Sequence, residues 1–144
     1  MKEIKTEIII NSTVDKVWST LTDFDSYPNW NPFIKYFKGT PKEGNRIEVK
    51  LVPPNSKGMV FKPTILKFIP NKELRWLGHT LISGLFDGEH IFELISNSDG
   101  TTTFIQREKF GGILVPLLKN SLDDTKAGFE LMNRKIKEIC EATL

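Results

Sequence analysis

Residues 118–140 read LKNSLDDTKAGFELMNRKIKEIC. Seven positions of this stretch recur at alternating spacings of four and three residues, whereas charged residues such as Asp123, Lys126 and Arg134 fall between them. The recurring positions are Leu118, Leu122, Thr125, Phe129, Met132, Ile136 and Ile139. A stripe with this period predicts one continuous amphipathic helix of about six turns at the carboxyl end of the chain.

The amino-terminal region predicts a strand followed by a short helix. Glu3 to Asn11 is rich in β-branched residues, which favour strands. Ser12 or Thr13 can then cap a helix that ends near Asp23. The apolar stripe of that helix is Val14, Val17, Trp18 and Leu21.

Between the two helices the pattern is that of strands separated by turn signals such as Pro53-Pro54-Asn55 and Ser98-Asp99-Gly100. The candidate strands lie near residues 34–38, 46–52, 58–68, 73–80, 86–96 and 102–110. Consecutive strands joined by short turns pair antiparallel, and a sheet of about seven strands bends into a concave surface. The chain therefore predicts one α+β domain over residues 1–144, with a bent sheet wrapped around the long helix and an apolar cavity between them.

Five segments resemble a known superfamily: INSTVDKVWSTLTDFDSYPNWNPF (residues 10–33), KELRWLG (72–78), GEHIFEL (88–94), GTTTFIQREKFG (100–111) and GFELMN (128–133). They are similar to the polyketide cyclase/START-like superfamily (SRPBCC), which also contains pollen-allergen-type ligand carriers. The resemblance implies the helix-grip fold. It implies no single activity, because cyclases, hydratases and lipid carriers share that fold.

Aromatic side chains, together with one methionine, are spread over every predicted element and suit the wall of a ligand cavity. They are Trp30, Phe33, Phe61, Trp76, Phe92, Phe104, Phe129 and Met132. For each of them a place in the packed core is the alternative interpretation. Asn133 follows this set on the last helix, where its amide could orient a ligand or lie in solvent.

Three polar residues are expected to point into the interior. Alternation along the last two strands puts His90 on the same face as Phe92, and Gln106 and Glu108 on the same face as Phe104. A buried polar group without a partner costs about 1–3 kcal/mol, so these groups should bind one another, water or a ligand. A structural hydrogen bond, a ligand-orienting contact, and acid–base catalysis by His90 and Glu108 all remain open.

The composition argues against several other classes of function. Lys and Arg number 20 against 18 acidic residues, a balance too even for a nucleic-acid-binding surface. The single Cys140 and the two histidines give no cluster with metal-ligand spacing, and no phosphate-binding or dinucleotide-binding motif is present, so neither a metal nor a cofactor is expected. The sequence has no apolar run near the ~20 residues of a membrane span. We expect a cytoplasmic protein without stable membrane insertion.

Two stretches contain more apolar residues than a packed core is expected to bury. They are residues 84–88 and the segment Ile113 to Leu118, which cannot all face inward on one helix. The surplus could line a cavity mouth, touch a membrane surface or form a homodimer contact, and the homodimer contact is the first choice.

The leading hypothesis is therefore the binding (carrying or sensing) of a hydrophobic small molecule, aromatic or lipid-like, in the cavity. The alternative is a cofactor-independent polyketide cyclase/aromatase or dehydratase-type enzyme that uses His90 and Glu108. A protein-interaction module acting through Ile113 to Leu118 is a third hypothesis.

Overall fold

The computed structural model describes residues 2–79, 87–112 and 119–142. Its elements, in chain order, are β1 (Lys2–Ile10), α1 (Val14–Leu21), a 3-10 turn (Phe24–Ser26), α2 (Tyr27–Trp30), β2 (Ile34–Lys38), β3 (Glu48–Leu51), β4 (Met59–Phe61), β5 (Thr64–Ile69), β6 (Glu73–His79), β7 (Asp87–Ser96), β8 (Thr102–Gly111) and α3 (Lys119–Glu141). The surplus apolar residues 84–86 and 113–118, the predicted strand ends at 80 and 86, and Leu118 of the helical stripe lie outside the described residues.

The strands of the described residues form two antiparallel sheets. The larger has five strands in the order β1-β8-β7-β6-β5, and the smaller has three in the order β2-β3-β4. The predicted strand at 58–68 is in fact two strands, because the chain leaves the small sheet after Phe61 and enters the large one at Thr64. Pro63 lies at this crossing, and its carbonyl accepts a hydrogen bond from the N–H of Ile47 (2.9 Å). The two sheets are thereby joined into one bent surface.

Alternation along β7 assigns its two faces as the sequence predicted. His90, Phe92 and Leu94 are buried, whereas Glu93 on the other face forms an ion pair with Arg107 (2.6 Å). Side chains of successive strand residues point to opposite sides of a sheet. The inner face therefore supplies the core, and the outer face carries this ion pair, although Ile91 on the outer face is also buried.

The aromatic segment that follows α1 folds back onto the core. The ring of Tyr27 is buried and its hydroxyl donates to the carbonyl oxygen of Leu21. The side-chain oxygen of Asn31 accepts hydrogen bonds from the backbone N–H groups of Phe33 and Ile34 (3.0 and 2.8 Å). These bonds satisfy a buried turn and fix the ring of Phe33 beneath α3.

Helix α3 packs against β1, β8 and α1. Its buried side chains are Leu122, Phe129, Met132, Asn133, Ile136 and Cys140. Thr125 and Ile139, which the predicted stripe included, are only partly buried. The end of the helix is held to the end of β1, since Lys137 donates to the carbonyl oxygen of Ile9 (2.8 Å) and Glu141 accepts from the N–H of Asn11 (2.7 Å).

Candidate functional site

A cavity of about 510 Å³ lies where the two sheets meet the beginning of α3. Its wall is mostly apolar and includes residues from both sheets and from the helix. The apolar members are Phe33, Leu51, Pro53, Met59, Phe61, Pro63, Trp76, Phe110 and Leu122. Ligand pockets typically have volumes of about 300–1,000 Å³ and walls of this kind.

Glu108 is the buried polar residue of this wall. The other polar side chains that line the cavity within the described residues are at least partly exposed, and they lie on the β3–β4 connection and the first turns of α3. They are Asn55, Ser56, Ser121, Asp124 and Thr125. The carboxyl group of Glu108 is therefore the polar group best placed to meet the inner end of a ligand.

Two glycines make room at the cavity floor. Gly78 on β6 and Gly88 on β7 are paired in the register of the sheet, and both line the cavity. A Cβ atom on Gly88 would stand 2.2 Å from Oε2 of Glu108, whereas a Cβ atom on Gly78 would meet nothing closer than Pro63 at 3.6 Å. Gly88 thus provides the space that the Glu108 carboxyl group occupies.

His90 lies directly behind Glu108 in the core. Its Nδ1 atom is 3.3 Å from Oε1 of Glu108, and its side chain is fully buried while that of Glu108 is 12% exposed. The two groups are close but not aligned for a hydrogen bond, so Nδ1 is left without a hydrogen-bond partner. The imidazole ring packs against Trp76, Phe92 and Phe129, with ring centroids 4.6–4.9 Å apart.

A buried chain of hydrogen bonds continues from His90 to the edge strand β1. Nε2 of His90 lies 3.0 Å from Oε1 of Gln106, and the amide nitrogen of Gln106 donates to Oδ1 of Asn133 (2.8 Å). The amide nitrogen of Asn133 donates to Oγ1 of Thr6 (2.8 Å), which in turn donates to the backbone carbonyl of Gln106 (2.8 Å). The chain joins β7, β8, α3 and β1, and it satisfies polar groups that would otherwise be costly to bury.

The structure places the predicted site residues in three different environments. Phe33, Phe61, Trp76 and Glu108 line the cavity. The side chains of His90, Gln106 and Asn133 form the hydrogen-bond chain behind it. The others pack without lining the cavity, and they are Trp30, Phe92, Phe104, Phe129 and Met132.

For Phe92, Phe104, Phe129 and Met132 the structure shows complete burial in the core, which was the alternative interpretation of each. Trp30 is half-buried beside Tyr27, and its Nε1–H donates to Oγ of Ser26 (2.9 Å). A direct ligand contact by any of these five residues stays a prediction.

Several wall residues were not among the sequence candidates. Met59 and Pro63 gave no local signal, and Leu122 gave only that of the helical stripe, because their place on the wall depends on how the sheets meet α3. Gly78 and Gly88 did carry one, since a glycine inside a strand often marks the close approach of another group.

Two further observations concern other kinds of site. Within residues 2–79, 87–112 and 119–142, His, Cys, Asp and Glu side chains form no group of three that could hold a metal ion. Nor is any helix in the described part of the chain both long and apolar enough to cross a membrane.

Comparison with known families identifies the family of this chain. The profile of the family described as polyketide cyclase / dehydrase and lipid transport matches residues 1–142. The chain belongs to this family. The superfamily that the five segments resemble is therefore confirmed.

Solved structures of low sequence identity share the fold of this chain. Protein MLL2253 from Mesorhizobium loti has a TM-score of 0.77 at 19% identity, covering 99% of this chain and 100% of that one. A START superfamily protein from Mycobacterium smegmatis has a TM-score of 0.71 at 16% identity, covering 96% and 97%. The predicted α+β helix-grip fold is confirmed.

A third structure belongs to a two-domain protein. The aromatase/cyclase StfQ, from the steffimycin biosynthetic pathway, has a TM-score of 0.69 at 11% identity, and the match covers 97% of this chain and 52% of that protein. These likenesses establish the fold alone. A comparison with curated proteins finds no match.

Proposed function

We propose that the protein binds a hydrophobic small molecule in the cavity between the two sheets and α3. The observation that carries the proposal is the cavity itself, about 510 Å³ with an apolar wall. Protein interiors are normally close-packed, so an apolar space of this size within a folded chain favours an apolar occupant. Membership of a family whose description includes lipid transport supports the same function.

The wall indicates the kind of molecule. Phe33, just before β2, and Trp76 on β6 present rings to the cavity, and Phe110 adds another from β8. Aromatic side chains bind flat apolar groups through large contact areas and through offset or edge-to-face ring packing. A ring-bearing or lipid-like ligand therefore fits this wall, whereas a strongly polar one does not.

Native mass spectrometry of freshly purified protein, combined with titration of an environment-sensitive apolar dye, tests the proposal. We expect a co-purified apolar compound or saturable dye binding with roughly micromolar affinity, equivalent to about −8 kcal/mol. The dye should quench Trp76, the cavity-lining member of the three tryptophans. Trp76→Phe is the control, because it should lose most of the quenching while keeping the binding. Absence of saturable binding by every apolar probe would contradict the proposal.

A second candidate function is favoured by a separate observation. Glu108 reaches the cavity wall with His90 3.3 Å behind it, and such a pair can give and take protons. The candidate is a cofactor-independent cyclase/aromatase or dehydratase-type enzyme. In a dehydration, a base takes the proton next to a carbonyl group and an acid protonates the departing hydroxyl, so that one water is lost.

Mass spectrometry of reaction mixtures separates the two functions. The protein is incubated with ring-bearing β-hydroxy ketones, and the products are compared with those of Glu108→Gln, which keeps the shape of the side chain. An enzyme removes water in the native protein and not in the variant. A carrier returns every compound unchanged, and that result would exclude dehydration of this substrate class.

A further inference from the structure

The hydrogen-bond chain behind the cavity has a fixed direction. It ends at the backbone carbonyl oxygen of Gln106, which can only accept, so the hydroxyl of Thr6 must donate to it (2.8 Å). The oxygen of Thr6 has then used its one hydrogen and must accept from the amide nitrogen of Asn133 (2.8 Å). Asn133 is thereby oriented with its Oδ1 atom toward Gln106.

The same reasoning continues to the imidazole ring. Oδ1 of Asn133 accepts from the amide nitrogen of Gln106, which leaves Oε1 of Gln106 facing Nε2 of His90 at 3.0 Å. Since Oε1 is an acceptor, Nε2 must carry a hydrogen. Reversing both amides would leave the oxygens of Thr6 and of the Gln106 backbone 2.8 Å apart with no hydrogen between them.

This tautomer has a consequence at the cavity. A neutral His90 with its hydrogen on Nε2 presents an unshared electron pair at Nδ1, and Oε1 of Glu108 stands 3.3 Å away. The two atoms are not aligned for a hydrogen bond, but two acceptors this close in a buried site repel unless one of them holds a proton. The pair therefore needs one proton, either on Nδ1 opposite a carboxylate or on the carboxyl group opposite a bare Nδ1.

We infer that His90 and Glu108 form a one-proton unit, and that the ligand of the cavity is a neutral apolar molecule whose hydroxyl group binds the carboxyl group of Glu108. The ligand part of this inference rests on the binding function proposed above. Glu108 touches the ligand, whereas His90 is a positioning residue that acts through Glu108.

The charge of the unit determines the ligand class. With one proton the pair is neutral overall, so it offers no net charge to compensate a buried ionic group. A hydroxyl group both donates and accepts hydrogen bonds, so it suits Glu108 wherever the shared proton lies. Within the described part of the wall, the other ionisable residue is Asp124, which lies on α3 and is partly exposed. Phenols, enols and apolar alcohols meet these conditions.

The proton arrangement can be tested without any ligand. Long-range proton–nitrogen correlation spectra distinguish the two ring nitrogens of a histidine, and the chain has only two histidines. His79→Gln removes the exposed one and so assigns the signals of His90. We expect a hydrogen on Nε2 at neutral pH in the native protein. In Glu108→Gln, where the amide can itself donate to Nδ1, the ring should be neutral with the same Nε2–H tautomer. A neutral His90 with its hydrogen on Nδ1 would overturn the inference.

The ligand class is tested with a matched pair of fluorescent probes, a naphthol and its methyl ether. Native protein should bind the naphthol on the order of tenfold more tightly than the ether, because only the naphthol donates to Glu108. Gly88→Ala should abolish the difference, since its methyl group must push the Glu108 carboxyl group aside. Gly78→Ala is the matched control, because it adds the same methyl group to the cavity wall across the same strand pair without touching Glu108; it takes up space for both probes alike and should keep the ratio of their affinities.

The outcomes separate the two proposals. Equal binding of both probes by native protein would overturn the inferred ligand class while leaving the binding function intact. Binding of neither probe would contradict the binding function itself, and the ligand class would fall with it. A preference for the naphthol that survives Gly88→Ala would show that another group than Glu108 receives the hydroxyl, and would also overturn the inference.

Discussion

Gly128 links the stability of α3 to the shape of the cavity wall. A Cβ atom at this position would stand 2.5 Å from Cδ1 of Phe33, a buried ring that lines the cavity. Replacing glycine by alanine in a helix normally stabilises it by about 1 kcal/mol, but overpacking a core costs ~1–3 kcal/mol. We expect Gly128→Ala to lower the free energy of unfolding by about 1 kcal/mol, measured by chemical denaturation.

The neighbouring residue supplies the control for this prediction. Ala127→Gly reverses the substitution on a partly buried position of the same helix and should cost about 1 kcal/mol through helix propensity alone. If Gly128→Ala instead stabilised the protein by that amount, the ring of Phe33 would have to yield freely, and close packing would not explain the glycine.

Tyr27 should make the folded state less stable at alkaline pH. Its burial, reinforced by the charge of Asp23, raises the pKa of the Tyr27 phenol far above the usual value of about 10. The unfolded chain therefore loses this proton more readily than the folded one. The contribution of Tyr27 is fully present below about pH 10 and declines as the pH rises above it, by up to ~1.4 kcal/mol per pH unit.

Chemical denaturation between about pH 8 and pH 11 tests this dependence. Tyr27→Phe should be less stable at pH 8 by about 1–3 kcal/mol, because the buried carbonyl of Leu21 loses its donor. Its stability should then decline less steeply above pH 10 than that of the native protein. Tyr36→Phe changes the second tyrosine, which is partly buried, and serves as the control. Its stability should still decline steeply above pH 10, because Tyr27 is retained. Equal slopes for native protein and Tyr27→Phe would contradict the assignment.

At the scale of elements, the periodicity of apolar residues predicted which faces of the helices and strands are buried. The spacing of Phe129, Met132 and Ile136 predicted the buried face of α3, and alternation predicted the inward face of β7. The division of residues 58–68 into β4 and β5 was not predicted, although Pro63 interrupts the strand pattern there, because the change of sheet depends on distant partners. Strand pairing is a nonlocal property, so its register is poorly encoded in a short window.

The same limit explains how much of the site the sequence could predict. The inward direction of His90, Gln106 and Glu108 followed from alternation, and the structure brings them together. Which inward residues line a cavity and which fill the core depends on the distance between the sheets and α3. Phe33 and Phe104 are both fully buried, yet only Phe33 lines the cavity.

The packing of Phe129 predicts that α3 is a full partner of the core. The ring is completely buried and lies 5.4 Å from that of Phe33 and 4.9 Å from that of His90, measured between centroids. We expect Phe129→Ala to cost about 3–5 kcal/mol in chemical denaturation, the range for a large ring lost from a packed core. Leu131→Ala, on the exposed face of the same helix, should cost under ~1 kcal/mol.

Phe129→Ala should also weaken binding of an apolar dye, although residue 129 does not line the cavity. The reason is that its ring supports both Phe33 on the wall and His90 behind Glu108. A cost no larger than that of Leu131→Ala would mean that the ring of Phe129 already borders empty space, and the packed-core description of α3 would be wrong.

At the scale of the whole molecule, the cavity lies where the two sheets meet the beginning of α3. Leu51, Met59 and Phe61 of the small sheet face the cavity, and Trp76 and Phe110 of the large sheet face it from the other side. A bound apolar molecule would therefore contact both sheets and α3 at once. Such a ligand should stabilise the folded state as a whole, by about 2.7 kcal/mol when its free concentration is 100 times Kd.

Gly78→Phe tests this coupling by filling the cavity from within. The residue lies on β6 with a backbone conformation outside the left-handed region, and a Cβ atom there would have ordinary contact with Pro63 at 3.6 Å, so strand and sheet can accept an aromatic side chain. The new ring should take the place of a ligand. We therefore expect the variant to unfold at a denaturant concentration no lower than that of the native protein, to bind no apolar dye, and to gain no stability from one.

Leu77→Phe, on the opposite face of the same strand, is the control and should keep both dye binding and the stabilisation by dye. If Gly78→Phe bound the dye as tightly as the native protein and gained the same stability, the ligand would bind outside this cavity, and the sheets and α3 would not be coupled through it.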